Sequence, residues 1–167
     1  IQKVIDYIHA GDVFQVNLAQ RFEGPKPNHF DPYSHYLTLR RVNPAPFSAY
    51  LNFGDTVIAS SSPERFLNIS GTSIQARPHK GTSPDPDLLA ASTKDRAENI
   101  MIVDLLRNDL SKVCTDTSVD VQELCQIESY AGLHHLVSSV TGTLRPDITA
   151  AEALLSCFPG GSITGAP

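Results

Sequence analysis

Four groups of residues in this chain are of types and spacings that could do chemistry. Asp95 and Glu98 stand three apart in a long helical pattern, which turns both carboxylates to one side. On an otherwise apolar helix they repel and lose hydration unless a cation is near. Mg²⁺ suits such a place, since it takes one or two carboxylates plus oxygens from a substrate. The first turn of a helix also favours acids through its dipole, and spacing alone leaves both readings open. Asp104, with Arg107 and Asn108, interrupts the apolar run Ile100 to Leu106 and is expected in an ion pair or cap network. Lys80 falls within Arg77-Pro78-His79-Lys80-Gly81-Thr82, beside a glycine that lets backbone approach a ligand. A desolvated lysine can act as nucleophile or base, and a solvated one does neither. The stretch Pro159 to Pro167 offers backbone N–H groups with Ser162 and Thr164, either as an anion cradle or as a plain turn. It matches neither a Walker motif nor GxGxxG. His134 and His135 are neighbours in a strand pattern, so they point to opposite faces and cannot form a ligand pair.

The elements that must hold these groups can be read from periodicity and breakers. Ile1, Val4, Ile5 and Ile8 predict an amphipathic helix ending at Gly11. Val13 to Phe22 reads as a strand. Asp31-Pro32 opens a helix running to about Val42, stopped by Asn43-Pro44. Phe47 to Phe53 and Thr56 to Ser60 predict a hairpin turning at Gly54-Asp55. Phe66 to Ile69 and Thr72 to Ala76 predict a second. Arg77 to Asp87, with three prolines and a glycine, is expected to be irregular. Ser92 and Asp95 start a helix reaching about Val113, whose middle is apolar on nearly every side and is expected to be buried. Val119 to Leu124 and Leu133 to Val140 read as strands, and Thr149 with Glu152 as a capping box for a helix ending near Cys157. Hairpins with interspersed helices give an α+β architecture with largely antiparallel sheet.

Composition excludes several classes. The chain has 167 residues, 41% hydrophobic and 19% charged, enough for a packed core and too few charges for a disordered chain. A net charge of −5 without a Lys/Arg block argues against a nucleic-acid surface. No apolar run approaches the roughly 18 residues of a membrane span. Cys114, Cys125 and Cys157 are odd in number and widely spaced, which fits thiols of a reducing cytoplasm rather than a disulfide framework or zinc site. The chain begins within a helix and stops in a loop-like stretch, so part of the working protein is expected to lie outside it.

Several of these stretches resemble the chorismate-binding enzymes. They are Ala10 to Leu18 (AGDVFQVNL), Ser62-Pro63-Glu64, Lys80-Gly81-Thr82, Asp95 to Asp109 (DRAENIMIVDLLRND), His134 to Ser138 (HHLVS), and Phe158 to Pro167 (FPGGSITGAP). The matches run in order along essentially the whole chain. That family includes anthranilate, aminodeoxychorismate, isochorismate and salicylate synthases. The resemblance implies a two-layered, largely antiparallel β-sandwich with surrounding helices, of which residues 1–167 form a partial catalytic domain. It implies Mg²⁺ held by Glu98 with Asp95 beside it, and Glu64 as the acid that helps the substrate's 4-hydroxyl leave. It places His135 near the ring carboxylate, and Gly81, Thr82, Ser162, Thr164 and Gly165 at substrate-contacting positions. Lys80 is similar to the lysine of the aminodeoxychorismate branch, thought to attack C2 of chorismate before ammonia enters at C4. Anthranilate synthases carry A-G-T where this chain has K-G-T. Gln15 stands where isochorismate and salicylate synthases place a water-activating lysine, and glutamine cannot be that base. The implied ammonia source is a glutaminase, separate or fused. The Ser83 to Lys94 loop looks short for the family, and the second set of metal-binding glutamates would follow Pro167, so these residues alone are expected to be inactive. Anthranilate formation and a non-catalytic remnant are the competing expectations.

Overall fold

The computed structural model describes residues 1–130 and 133–166. Pro167, the last residue of the Gly-rich motif, lies outside the described residues. The chain divides into two compact units, Ile1–Leu18 with Phe66–Pro167, and Ala19–Arg65.

The smaller unit holds helix α2 (Pro32–Val42) and strands β2 (Phe47–Asn52) and β3 (Val57–Ser62). Asp31 caps α2 by accepting from the Tyr33 and Ser34 amides, with Pro32 at the first helical position. β2 and β3 pair in register from Phe47↔Ser62 to Asn52↔Val57, turning at Gly54-Asp55. Tyr33, Tyr36 and Tyr50 stack between helix and hairpin, with ring centroids 5.2–6.2 Å apart.

The larger unit is built on one antiparallel sheet. Its strands are β4 (Asn68–Ser70), β5 (Ser73–Ala76), β6 (His79–Ser83), β7 (Asp120–Tyr130) and β8 (Leu133–Thr143). The long β8 is central: β5 and β6 share one of its edges end to end, and β7 takes the other. Helices α3 (Pro86–Ala91), α4 (Thr93–Ser111) and α5 (Ala150–Cys157) belong to this unit with α1 (Gln2–Ala10) and the short α6 (Gly161–Thr164). Strand β1 (Gln15–Val16) pairs antiparallel with β9 (Gly165–Ala166). The core lies where Ile102, Val103, Leu106 and Leu110 of α4 and Ala153 and Cys157 of α5 meet Ile74, Ala76 and Val140 of the sheet. A smaller cluster of Leu89, Cys125 and Leu136 lies under α3. All three cysteines are free and buried.

The α+β architecture with antiparallel sheets is as expected, and the Thr149/Glu152 capping box is present in both directions. Four expectations need correction. Arg77 to Asp87 is ordered: β6 resumes pairing with β8 after Pro78, and Asp85-Pro86 starts α3 with the same cap-plus-proline signal as Asp31-Pro32. Val13 to Phe22 is a strand only at Gln15–Val16, since its partner is two residues long. The Gly-rich terminus is the short α6 and β9 rather than a plain loop. Helix α4 is not buried all round: Ile100 is 46% exposed, and Asp104, in the expected ion pair with Arg107 at 3.0 Å, sits at the surface. No helix among the described residues is long and apolar enough to cross a membrane.

Candidate active site

One group of chemistry-bearing residues in the larger unit lies where the N-terminal half of α4 meets β6 and β8. Pairing of β6 with β8 sets Lys80 opposite Leu136 and Thr82 opposite His135, with a bulge between Lys80 and Thr82. The bulge falls on Gly81, whose φ of +71° is one a side chain resists. Gly81 is also where backbone and helix come closest. A Cβ placed there would stand 2.8 Å from Leu89 Cδ1 and 2.9 Å from Asp95 Cβ. Absence of a side chain therefore lets the Lys80-Gly81-Thr82 strand lie directly against the first turn of α4.

His135 is held by Thr82, whose Oγ1 is 3.0 Å from its Nδ1, and its ring lies 6.0 Å from that of His79. Cross-strand partners share a face, so His79, Thr82 and His135 line one side of the sheet. The alternation at the two adjacent histidines is as expected: His134 turns to Ser129 instead, with 2.7 Å between Ser129 Oγ and His134 Nδ1. Glu128, opposite His135 in β7, is bound by Arg77, which also reaches Glu123 at 3.3 Å.

Asp95 serves the helix start. The Ser92 hydroxyl donates to its Oδ2 at 2.6 Å, and its own amide donates to Ser92 Oγ at 3.2 Å. The dipole and capping reading thus applies to Asp95. Glu98, one turn on, is half-buried, and its ion-pair partner Lys94 is 3.6 Å away with an 81% exposed side chain. Among the described residues no three His, Cys, Asp or Glu groups converge as a metal-binding set. The donors present fit an ion that takes one protein carboxylate from this chain and further oxygens from elsewhere, as Mg²⁺ does.

Ser162, Thr164 and Gly165 form a second cluster rather than joining the first. Gly161 abuts Leu105 and Ile102 of α4, about two to three turns beyond Asp95. The segment is pinned to β1: Asn17 Nδ2 donates to the Ser162 carbonyl at 2.9 Å, and the Asn17 amide to that of Thr164 at 3.3 Å. A side chain on Gly165 would collide with the Gln15 carbonyl. The amides of Ile163 and Thr164 both donate to the Gly160 carbonyl, so neither serves an anion cradle. Gln15 donates to Asn17 Oδ1 at 3.3 Å, while its own Oε1 is buried without a hydrogen-bond partner among the described residues. Glu64 lies in the smaller unit, after β3. There its amide donates to Ser62 Oγ, and the Ser62 hydroxyl donates back to its carbonyl at 2.9 Å.

Sequence reasoning missed Asn99 and Ser138. Both are fully buried and polar. The signal available was an amide standing between Glu98 and the apolar run that starts at Ile100.

Comparison with known proteins bears on the family and the fold. A family model described as chorismate binding enzyme matches residues 1–167. Aminodeoxychorismate synthase component 1 of Escherichia coli strain K12 is 47% identical over 99% of this chain and 38% of its own length. Anthranilate synthase component 1 3 of Haloarcula marismortui is 41% identical over 100% of this chain and 35% of its own. Among solved structures, anthranilate synthase component I from Streptococcus pneumoniae TIGR4 matches with a TM-score of 0.84 at 34% identity, over 99% of this chain and 38% of that one. The chain thus spans well under half the length of these relatives. With a whole-chain family match, high identity and a shared fold, this chain belongs to the family of chorismate-binding enzymes.

Proposed function

We propose that the protein carrying this chain forms 4-amino-4-deoxychorismate from chorismate and ammonia. The observation that carries this reading is Lys80, half-buried on β6, directly preceding the glycine that packs on Asp95 and the threonine that holds His135. A lysine amine at this place is suited to attack the electron-poor C2 of chorismate as the C4–O bond breaks. The resemblance, rather than the geometry, assigns Glu64 to give the departing hydroxyl its proton, so that water leaves. Ammonia then bonds to C4, the double bond shifts back, and the lysine leaves C2 with its electron pair. Chorismate and ammonia thus yield aminodeoxychorismate and water. His135, oriented by Thr82, contacts the ring carboxylate, while Ser162, Thr164 and Gly165 bind substrate from the second cluster. Mg²⁺, held by Glu98 with Asp95 behind it, would neutralise that carboxylate.

Ammonia comes from a glutamine amidotransferase, separate or fused; the "component 1" names of the relatives support the existence of a second component. Three buried free thiols fit a reducing compartment such as the cytoplasm. The anthranilate reading has its own support in the structural match to an anthranilate synthase component I. Product identity separates them. Full-length protein incubated with chorismate, MgCl₂ and an ammonium salt, with products resolved by chromatography, is expected to yield aminodeoxychorismate. Fluorescent anthranilate as the main product would overturn the reading, and the absence of any product would favour a non-catalytic remnant.

A further inference from the structure

Behind the proposed site lies a buried polar network that joins three elements, and it begins at a defect in the sheet. Between Glu123↔Ser139 and Gln126↔Val137 the β7–β8 ladder slips, leaving Leu124 and Cys125 opposite Ser138. Cys125 takes a φ of +53°, uncommon for any residue but glycine. Its amide loses a ladder partner and donates instead to Ser138 Oγ at 2.9 Å. The Ser138 hydroxyl in turn donates to Asn99 Oδ1 of α4. Asn99 Nδ2 closes the circuit by donating to the Leu136 carbonyl at 3.2 Å. Asn99 and Ser138 are both 0% exposed, so each bond lies where an unmet partner is costly.

The position of this circuit matters more than its strength. Asn99 directly follows Glu98. Leu136 directly follows His135 and is the register partner of Lys80. One amide side chain therefore fixes the helix carrying the candidate metal ligand to the strand pair carrying the candidate nucleophile and histidine. We infer that Asn99, with Ser138, is a positioning pair that holds Glu98 at a set distance from Lys80 and His135. This inference rests on the chorismate reading above. Packing alone would hold α4 on the sheet, but apolar contacts tolerate small slides, whereas two directional hydrogen bonds from one side chain do not.

The test is chorismate affinity of full-length protein, by titration calorimetry in MgCl₂ without ammonium. Asn99→Leu keeps the volume and removes both bonds; Ser138→Ala is the milder variant should the first not fold. Val113→Ala removes buried packing at the far end of α4 and serves as the control for general loosening. Groups supporting a site from behind are worth about 10–100-fold. The expected result is about tenfold or greater weakening for Asn99→Leu and for Ser138→Ala, with Val113→Ala close to wild type. Unchanged affinity in folded Asn99→Leu or Ser138→Ala would overturn the inference, as would equal weakening by Val113→Ala. If wild-type protein binds no chorismate in MgCl₂, the parent reading falls as well, and that outcome is visible before any variant is made.

Discussion

Replacing Gly81 by alanine should damage both stability and the site, because one Cβ meets two separate obstacles there. The first is conformational: at φ +71° an L side chain costs about 1–2 kcal/mol. The second is steric. The new methyl would stand 2.8 Å from Leu89 Cδ1, 2.9 Å from Asp95 Cβ and 3.0 Å from Asp95 Cγ, all closer than ordinary van der Waals contact. Leu89 is 2% exposed and Asp95 is tied to Ser92, so neither yields freely. Overpacking of this kind costs about 1–3 kcal/mol, for a combined loss of about 2–5 kcal/mol. Gly71→Ala isolates the first effect, since Gly71 has a φ of +59° with nothing among the described residues within 4 Å of its Cβ position. Urea denaturation of the full-length protein should therefore show Gly71→Ala losing about 1–2 kcal/mol and Gly81→Ala clearly more. At a urea concentration where both variants are folded, Gly81→Ala alone should lower kcat/KM, since the strand must move off Asp95. Equal destabilisation by the two substitutions, or unimpaired turnover in Gly81→Ala, would refute the claim that close backbone approach builds this site.

Other outcomes follow from single groups. If Glu98 holds Mg²⁺ as proposed, Glu98→Gln should raise the MgCl₂ concentration for half-maximal chorismate binding about tenfold or more, measured by calorimetry, because loss of a ligand costs no less than loss of a supporting group. Thr149→Ala should destabilise by about 1 kcal/mol in thermal or urea melts at neutral pH. Hydrogen bonds from the Thr149 backbone and side chain hold the Glu152 carboxyl below its usual range. Its stabilising contribution is therefore present above the unfolded pKa and is lost as pH falls through the lowered folded value, so the Thr149→Ala penalty should shrink in acid. Burial, reinforced by Asp109, pushes the Cys157 thiol up to about 11. Native protein should leave it unlabelled by a thiol reagent at neutral pH and label it on unfolding; the stability due to its protonated form should fade as pH rises from about 9 towards 11.

Local chemistry was the most legible part of the sequence. Asp31-Pro32 and Thr149 with Glu152 mark helix starts because a cap is a contact within four residues, and Gly54-Asp55 marks a hairpin for the same reason. What depended on distant partners was harder to read. Pro78 and Gly81 look like strand breakers, yet the Pro78 carbonyl accepts from the Ser138 amide at 3.2 Å and needs no N–H of its own, while Gly81 supplies a bulge. The alternation of Phe14, Val16 and Leu18 looks like a strand, but Phe14 and Leu18 are 71% and 65% exposed and the available partner is β9 alone. Asp104 drew attention as a charge in an apolar run and proved to be a surface ion pair, whereas the uncharged Asn99 carries the buried connection. Motif resemblance singled out Lys80, Thr82 and His135, but it could not give the register that sets Thr82 opposite His135 and Lys80 opposite Leu136. Nor could it show that Ser162, Thr164 and Gly165 belong to a segment pinned to β1, whose Gly161 abuts Leu105 and Ile102 further along α4.

The central claim is that Lys80 forms a covalent bond to the substrate. Full-length protein would be incubated with chorismate and MgCl₂ in the absence of ammonia, quenched in acid, digested and mapped by mass spectrometry. The expected result is an adduct on the peptide containing Lys80, with the mass of chorismate less one water, absent from Lys80→Ala and discharged by ammonium as aminodeoxychorismate. An unmodified Lys80 peptide, together with undiminished aminodeoxychorismate formation by Lys80→Ala, would contradict it.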